Sequence, residues 1–100
     1  MTDSDFTIFA RIKPKAAHYD DVKKALLGIL EPTLKEPDCY EFRVFEGSPL
    51  DGHIYFYERF KNKEALDFHL KQDYVTSVMH HYDEWLEAPK TFYTTCELAA

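Results

Sequence analysis

The chain predicts one small α+β domain: helices packed on a single antiparallel sheet that must bury both of its faces. Three observations carry this. There are 100 residues, enough for one domain, and 45% are hydrophobic and 16% aromatic, enough for a core. Segments of period two and of period 3.6 follow one another in the order strand, helix, strand, strand, helix, strand. The third strand is apolar or aromatic on both of its sides.

Thr7 to Lys13 alternates Ile8, Ala10 and Ile12 with Thr7, Phe9 and Arg11, and Pro14 ends the strand because proline lacks a ladder donor. From Ala16 to Lys35 the apolar residues Val22, Ala25, Leu26, Ile29, Leu30 and Leu34 form one helical stripe. Asp20 and Asp21 suit its positive N-terminus, and Pro32 predicts a kink or an early end. Pro37-Asp38 marks a turn. Cys39 to Glu46 alternates again, and Gly47 to Gly52 has the composition of a hairpin loop. His53 to Phe60 is the third strand, with Ile54, Phe56, Glu58 and Phe60 on one face and His53, Tyr55, Tyr57 and Arg59 on the other.

Asn62 is placed to cap the next helix, whose inward face is Ala65, Leu66, His69 and Leu70. After a break near Gln72-Asp73, a second stretch recurs at helical spacing through Tyr74, Val75, Val78, Met79, Tyr82, Trp85 and Leu86, until Pro89. Thr91 to Leu98 reads as the last strand. The order is the ferredoxin-like βαββαβ plan, in one domain spanning residues 1–100 with about 6–98 structured.

Helices cover only one face of such a sheet. Phe9, Tyr55, Tyr57 and Tyr93 fall on the other, and an apolar patch of that kind predicts a homodimer through this face.

Charge excludes several classes. Acids outnumber bases 18 to 12, for a net charge of −6, and no basic block occurs. Nucleic acid and anionic membrane surfaces are therefore not expected partners. The apolar runs are too short for a membrane span. The polar, acidic Met1 to Asp5 does not read as a secretory signal, so a cytoplasmic location is expected. Cys39 and Cys96 lack zinc-site spacing, and their redox state is open. Three glycines in all leave no dinucleotide fingerprint.

Two side chains stand out for chemistry. His69 shares the inward face of Ala65 and Leu66, and an imidazole titrates near neutrality. The alternative is a core histidine bonded to a backbone carbonyl. Glu58 lies among Phe56 and Phe60, where a bare carboxylate is costly, so it must pair or hold its proton. Arg11 and Arg43 are possible structural partners. A Glu58–His69 pair would orient the imidazole as a base. Tyr74, Tyr82 and Trp85 either pack the core or wall a flat aromatic ligand. No metal site can be argued from these residues.

The stretches FARIKPK (Phe9 to Lys15), LKEPDCYEF (Leu34 to Phe42) and IYFYERFKNKEALDFHL (Ile54 to Leu70) resemble the antibiotic biosynthesis monooxygenase family, of the quinol-monooxygenase-like kind. The resemblance spans nearly the whole chain. It implies a dimeric α+β barrel with a pocket in each subunit between sheet and helices. It also implies a cofactor-free, O2-dependent oxygenase of a small phenol or quinol. His69 would be the proton acceptor with Glu58 beside it, and Tyr74, Tyr82, Trp85, Phe56 and Ala10 the substrate-binding residues. The alternatives are an isomerase or degradation enzyme for a small carbonyl or signal compound, and a non-catalytic dimeric binding protein. Haem-degrading relatives carry an Asn on strand one and a Trp on helix two, where this chain has Ala10 and His69. Haem degradation is accordingly not expected.

Overall fold

A computed structural model describes residues 5–48 and 51–98. The elements are β1 (Phe6–Ile12), a 3-10 turn at Ala16–His18, α1 (Tyr19–Leu34), β2 (Cys39–Glu46), β3 (Ile54–Phe60), α2 (Lys63–Leu70), α3 (Asp73–Met79), α4 (Tyr82–Trp85) and β4 (Thr91–Thr95). The four strands form one antiparallel sheet in the order β2-β3-β1-β4, the ferredoxin-like topology. Among the described residues no helix is long and apolar enough to cross a membrane.

Register assigns each side chain to a face, because directly paired residues point the same way. Ile8 pairs with Glu58 and Thr94, and Glu58 with Phe42; Ala10 pairs with Phe56 and Phe92. This inner face meets α1 through Val22, Leu26, Ile29 and Thr33, all buried, at steps of four, three and four residues. Phe60, Ile12, Ile54 and Val22 are sealed at the centre. On the outer face one rung runs Tyr93, Phe9, Tyr57, Arg43, and the next runs Thr91, Arg11, Tyr55, Phe45. Phe9, Phe45 and Tyr93 are 42–64% exposed there, and Tyr55 and Tyr57 are half-buried.

Several local expectations are corrected. Helix α1 continues through Pro32 to Leu34 rather than ending at the proline. A proline in the last turn loses one bond, to the carbonyl four residues back, and that residue, Gly28, lies on the solvent side. Leu34 is exposed rather than part of the inward stripe. The stretch from Tyr74 to Leu86 breaks at His80–His81 into α3 and α4. The break lets the backbone dock on the end of β1, with Lys15 N–H donating to Trp85 O at 2.8 Å and Glu87 N–H to Lys13 O at 2.9 Å. Strand β4 stops at Thr95, opposite Thr7, where β1 itself runs out. Asn62 caps α2 as expected, its Oδ1 accepting from Ala65 N–H at 2.9 Å. In the hairpin loop Gly47 N–H bonds His53 O, and Gly52 has φ of 73°, a left-handed turn that a side chain would strain. Pro49 and Leu50 lie outside the described residues.

Candidate functional site

A cavity of about 130 Å³ opens between the inner sheet face and the helices. For scale, a dry cavity of roughly 150 Å³ holds a benzene ring. Its floor is Ile8, Phe42, Phe56 and Glu58, its helical wall includes Leu26, His69, Val78 and Tyr82, and Leu70, Met79, Lys90 and Phe92 ring its mouth. The floor residues are buried, whereas Leu70, Met79 and Phe92 are partly open to solvent. The inside is mostly hydrocarbon, so each polar group in it acts in a medium of low polarity.

His69 is one of these groups. It follows Ala65 by one helical turn on the buried side of α2, and its ring lies 5.3 Å from Phe42 and 5.4 Å from Phe60, centroid to centroid. Its Nδ1 is 2.9 Å from Oε2 of Glu36, with both side chains almost fully buried. An ionised carboxylate only accepts, so Nδ1 carries the proton and Nε2 is bare in the neutral ring. Among the described residues Nε2 has no hydrogen-bond partner, and it is not sealed from the cavity. The Tyr74 hydroxyl donates to the same Glu36 oxygen. Glu36 therefore fixes the tautomer and angle of the imidazole, and Tyr74 fixes Glu36. The other carboxylate oxygen, Oε1, is buried without a hydrogen-bond partner among the described residues.

Glu36 was missed by the sequence reading, which paired His69 with Glu58. A signal for it existed. The buried stripe Val22, Leu26, Ile29, Thr33 continues three residues on to Glu36, placing a carboxylate on the inward side just beyond the helix.

Glu58 sits on the same cavity but makes no hydrogen bond to His69. On β3, between Ile8 and Phe42, it is 3% exposed. Burial raises its pKa above the ordinary carboxylate range; Lys90 and His69 act against this, while Glu36 adds to it. Its expected partners, Arg11 and Arg43, lie on the opposite sheet face and cannot reach it. Burial, then the neighbouring Glu58, push the Tyr82 hydroxyl up to about 12. Burial first, then its bond to Glu36, raise that of Tyr74.

The other expected site residues divide. Phe56 and Tyr82 line the cavity, whereas Tyr74, Trp85 and Ala10 do not. Tyr74 is turned to Glu36. Trp85 stacks on His81 at 4.3 Å and 11° and packs against the rim of the core, outside the cavity lining. Ala10 is too short to rise above its neighbours, and its strand partner Phe92 reaches the mouth instead. Lys90 and Phe92 were not anticipated, since alternation alone does not say where an edge strand meets a cavity. Cys39 and Cys96 are free thiols, and burial pushes Cys39 up to about 12, so it is an inert one. Among the described residues no three His, Cys, Asp or Glu converge to hold a metal ion.

Comparison with known proteins puts this geometry in context. The sequence profile of the antibiotic biosynthesis monooxygenase family matches residues 5–88. A curated relative, the uncharacterized protein sll1783 of Synechocystis, is 24% identical over 87 residues; these cover 87% of this chain but 59% of that one. Among solved structures, PA3566 of Pseudomonas aeruginosa superposes with a TM-score of 0.90 at 16% identity, covering 99% of both chains. Rv0793 of Mycobacterium tuberculosis gives 0.90 at 22% identity, covering 97% of this chain and 98% of its own. A structure described as an antibiotic biosynthesis monooxygenase gives 0.87 at 21% identity, covering 94% and 99%. At these identities the superpositions establish the fold alone.

Proposed function

The chain belongs to the antibiotic biosynthesis monooxygenase family, and from that premise we propose that it is a cofactor-free oxygenase of a small phenol or quinol, with His69 as the base. The observation that carries this reading is the bare Nε2 of His69 beside an apolar cavity of one-ring size, with Nδ1 held by the buried Glu36.

The steps balance without another reagent than O2. The phenol hydroxyl gives its proton to Nε2, and the Glu36 carboxylate stabilises the imidazolium that forms. The phenolate passes one electron to O2, and the radical pair recombines with a new C–O bond at a ring carbon bearing hydrogen. The imidazolium returns its proton to the peroxide oxygen. The resulting C–OOH loses water, using the ring hydrogen, and leaves a quinone carbonyl. One oxygen atom enters the product and the other leaves as water. Glu58, which burial biases toward the protonated form, lines the same cavity and in that form donates a hydrogen bond to the oxygen that becomes negative, and the hydrocarbon lining excludes bulk water.

The same reading covers the outer sheet face with a second copy of the chain, through Phe9, Tyr55, Tyr57 and Tyr93, joined by Phe45 on β2. Two-fold association of identical faces removes this aromatic surface from water.

Oxygen uptake with a panel of small phenols and hydroquinones tests the reading. Argon abolishes turnover, and His69→Ala lowers it by about 100-fold or more. Turnover that continues under argon would refute the oxygenase and leave proton-shuttling isomerisation as the use of His69.

A further inference from the structure

Lys90 immediately precedes β4, and alternation puts it on the same side as Phe92, at the cavity mouth. It is half-buried, with Nζ 4.8 Å from the centroid of the Phe56 ring. Among the described residues it forms no salt bridge. The carboxyl it influences, Glu58, lies beyond ion-pair distance and is biased by burial toward its neutral form. An ammonium held over an aromatic face at the edge of an apolar cavity recovers only part of its lost hydration. Among the described residues the ammonium on the wall of the cavity thus has no ion-pair partner, and an anion from outside would supply one.

The geometry points to Lys90 as the anchor for an anionic substituent, so that the ligand is a single-ring phenol bearing a carboxylate. The ring lies against Phe56, the hydroxyl meets Nε2 of His69, and the carboxylate stays at the partly open mouth beside Lys90, where it keeps some hydration. A single ammonium suits a monoanion. A phosphate would call for arginine or several donors, and all three arginines, Arg11, Arg43 and Arg59, lie on the outer face. This inference rests on the reading of the cavity as a phenol site and names its substrate class.

Calorimetric titration of the whole chain under argon, with 4-hydroxybenzoate and its neutral isostere 4-hydroxybenzamide, separates the two claims, since neither turnover nor oxygen enters the measurement. At pH 7 and low salt the carboxylate binds about tenfold more tightly than the amide. Lys90→Met removes that preference and leaves the affinity for the amide within about twofold, while Lys90→Arg keeps it. Equal affinities in the unaltered protein, no binding of either compound at millimolar concentration, or a preference that survives in Lys90→Met each overturn the assignment. Binding with this selectivity but without oxygen uptake would uphold Lys90 and refute the oxygenase alone.

Discussion

Replacing Glu36 with glutamine is the sharpest perturbation of the site. The side chain keeps its volume, so the core around it need not repack. What changes is that Oε2, which accepts from His69 Nδ1 at 2.9 Å and from the Tyr74 hydroxyl, loses its charge. A hydrogen bond to a charged group contributes about 1.5–3 kcal/mol and a neutral one about 0.5–1.5, so each bond weakens by roughly 1 kcal/mol. For the bond to His69 that is about a fivefold loss in preference for the Nδ1–H tautomer, larger where the amide turns its NH2 toward the ring. Nitrogen-15 NMR of the histidine rings reads the tautomer directly and needs no substrate. In the unaltered protein the neutral His69 ring carries its proton on Nδ1; in Glu36→Gln the Nε2–H form grows in. With a turned-over phenol in hand, kcat falls by about 10- to 100-fold while KM changes little, because the carboxylate acts mainly on the imidazolium formed during reaction. A ring that is Nε2–H in the unaltered protein, or a tautomer ratio indifferent to the substitution, would refute the assignment of Glu36 as the residue that positions the base.

Three further outcomes follow from the structure. The folded state holds the Glu58 proton above the ordinary carboxylate range, so it binds more protons than the unfolded chain once pH exceeds about 4.5; this group therefore costs stability as pH rises through that window. Glu58→Gln should gain stability over the unaltered protein as pH rises above about 4.5 in urea unfolding, and a pH-independent difference would contradict the burial argument. Asn62→Ala removes the cap of α2 and should cost about 1 kcal/mol, read as a drop of roughly 4–8 °C in Tm for a domain of this size. Sedimentation of the unaltered protein should give twice the chain mass, and Tyr57→Asp, at the centre of the rung Tyr93, Phe9, Tyr57, Arg43, should give the single chain; a monomeric unaltered protein would remove the proposed partner.

Much of the architecture was legible because it is written in short-range periodicity. Alternation in Ile54 to Phe60 assigns Glu58 to the inner face and Tyr57 to the outer one, and a one-residue slip would reverse every side chain. The stripe from Val22 to Ile29 identifies the buried side of α1. The helix ends were less legible. Pro32 sits in the last turn, where it removes a single bond, and the break at His80–His81 accompanies the hydrogen bonds of Trp85 and Glu87 with Lys15 and Lys13, which local propensity does not contain. In the site, His69 and Glu58 stand out as polar residues at apolar positions. Their relation to each other does not stand out, since facing one cavity is not the same as touching.

The sequence by itself therefore determined which residues share a face, and hence a βαββαβ sheet with an inner side carrying Glu58 and an aromatic outer side. Only the tertiary structure decided that Glu36 rather than Glu58 holds His69, across 33 residues of sequence, and that Lys90 and Phe92 stand at the mouth while Trp85 does not. The physical reason is one of range. Periodicity follows from the local geometry of helices and strands, whereas a hydrogen bond is made or lost over a fraction of an ångström, a distance set only when the end of α1 is packed against α2 and α3.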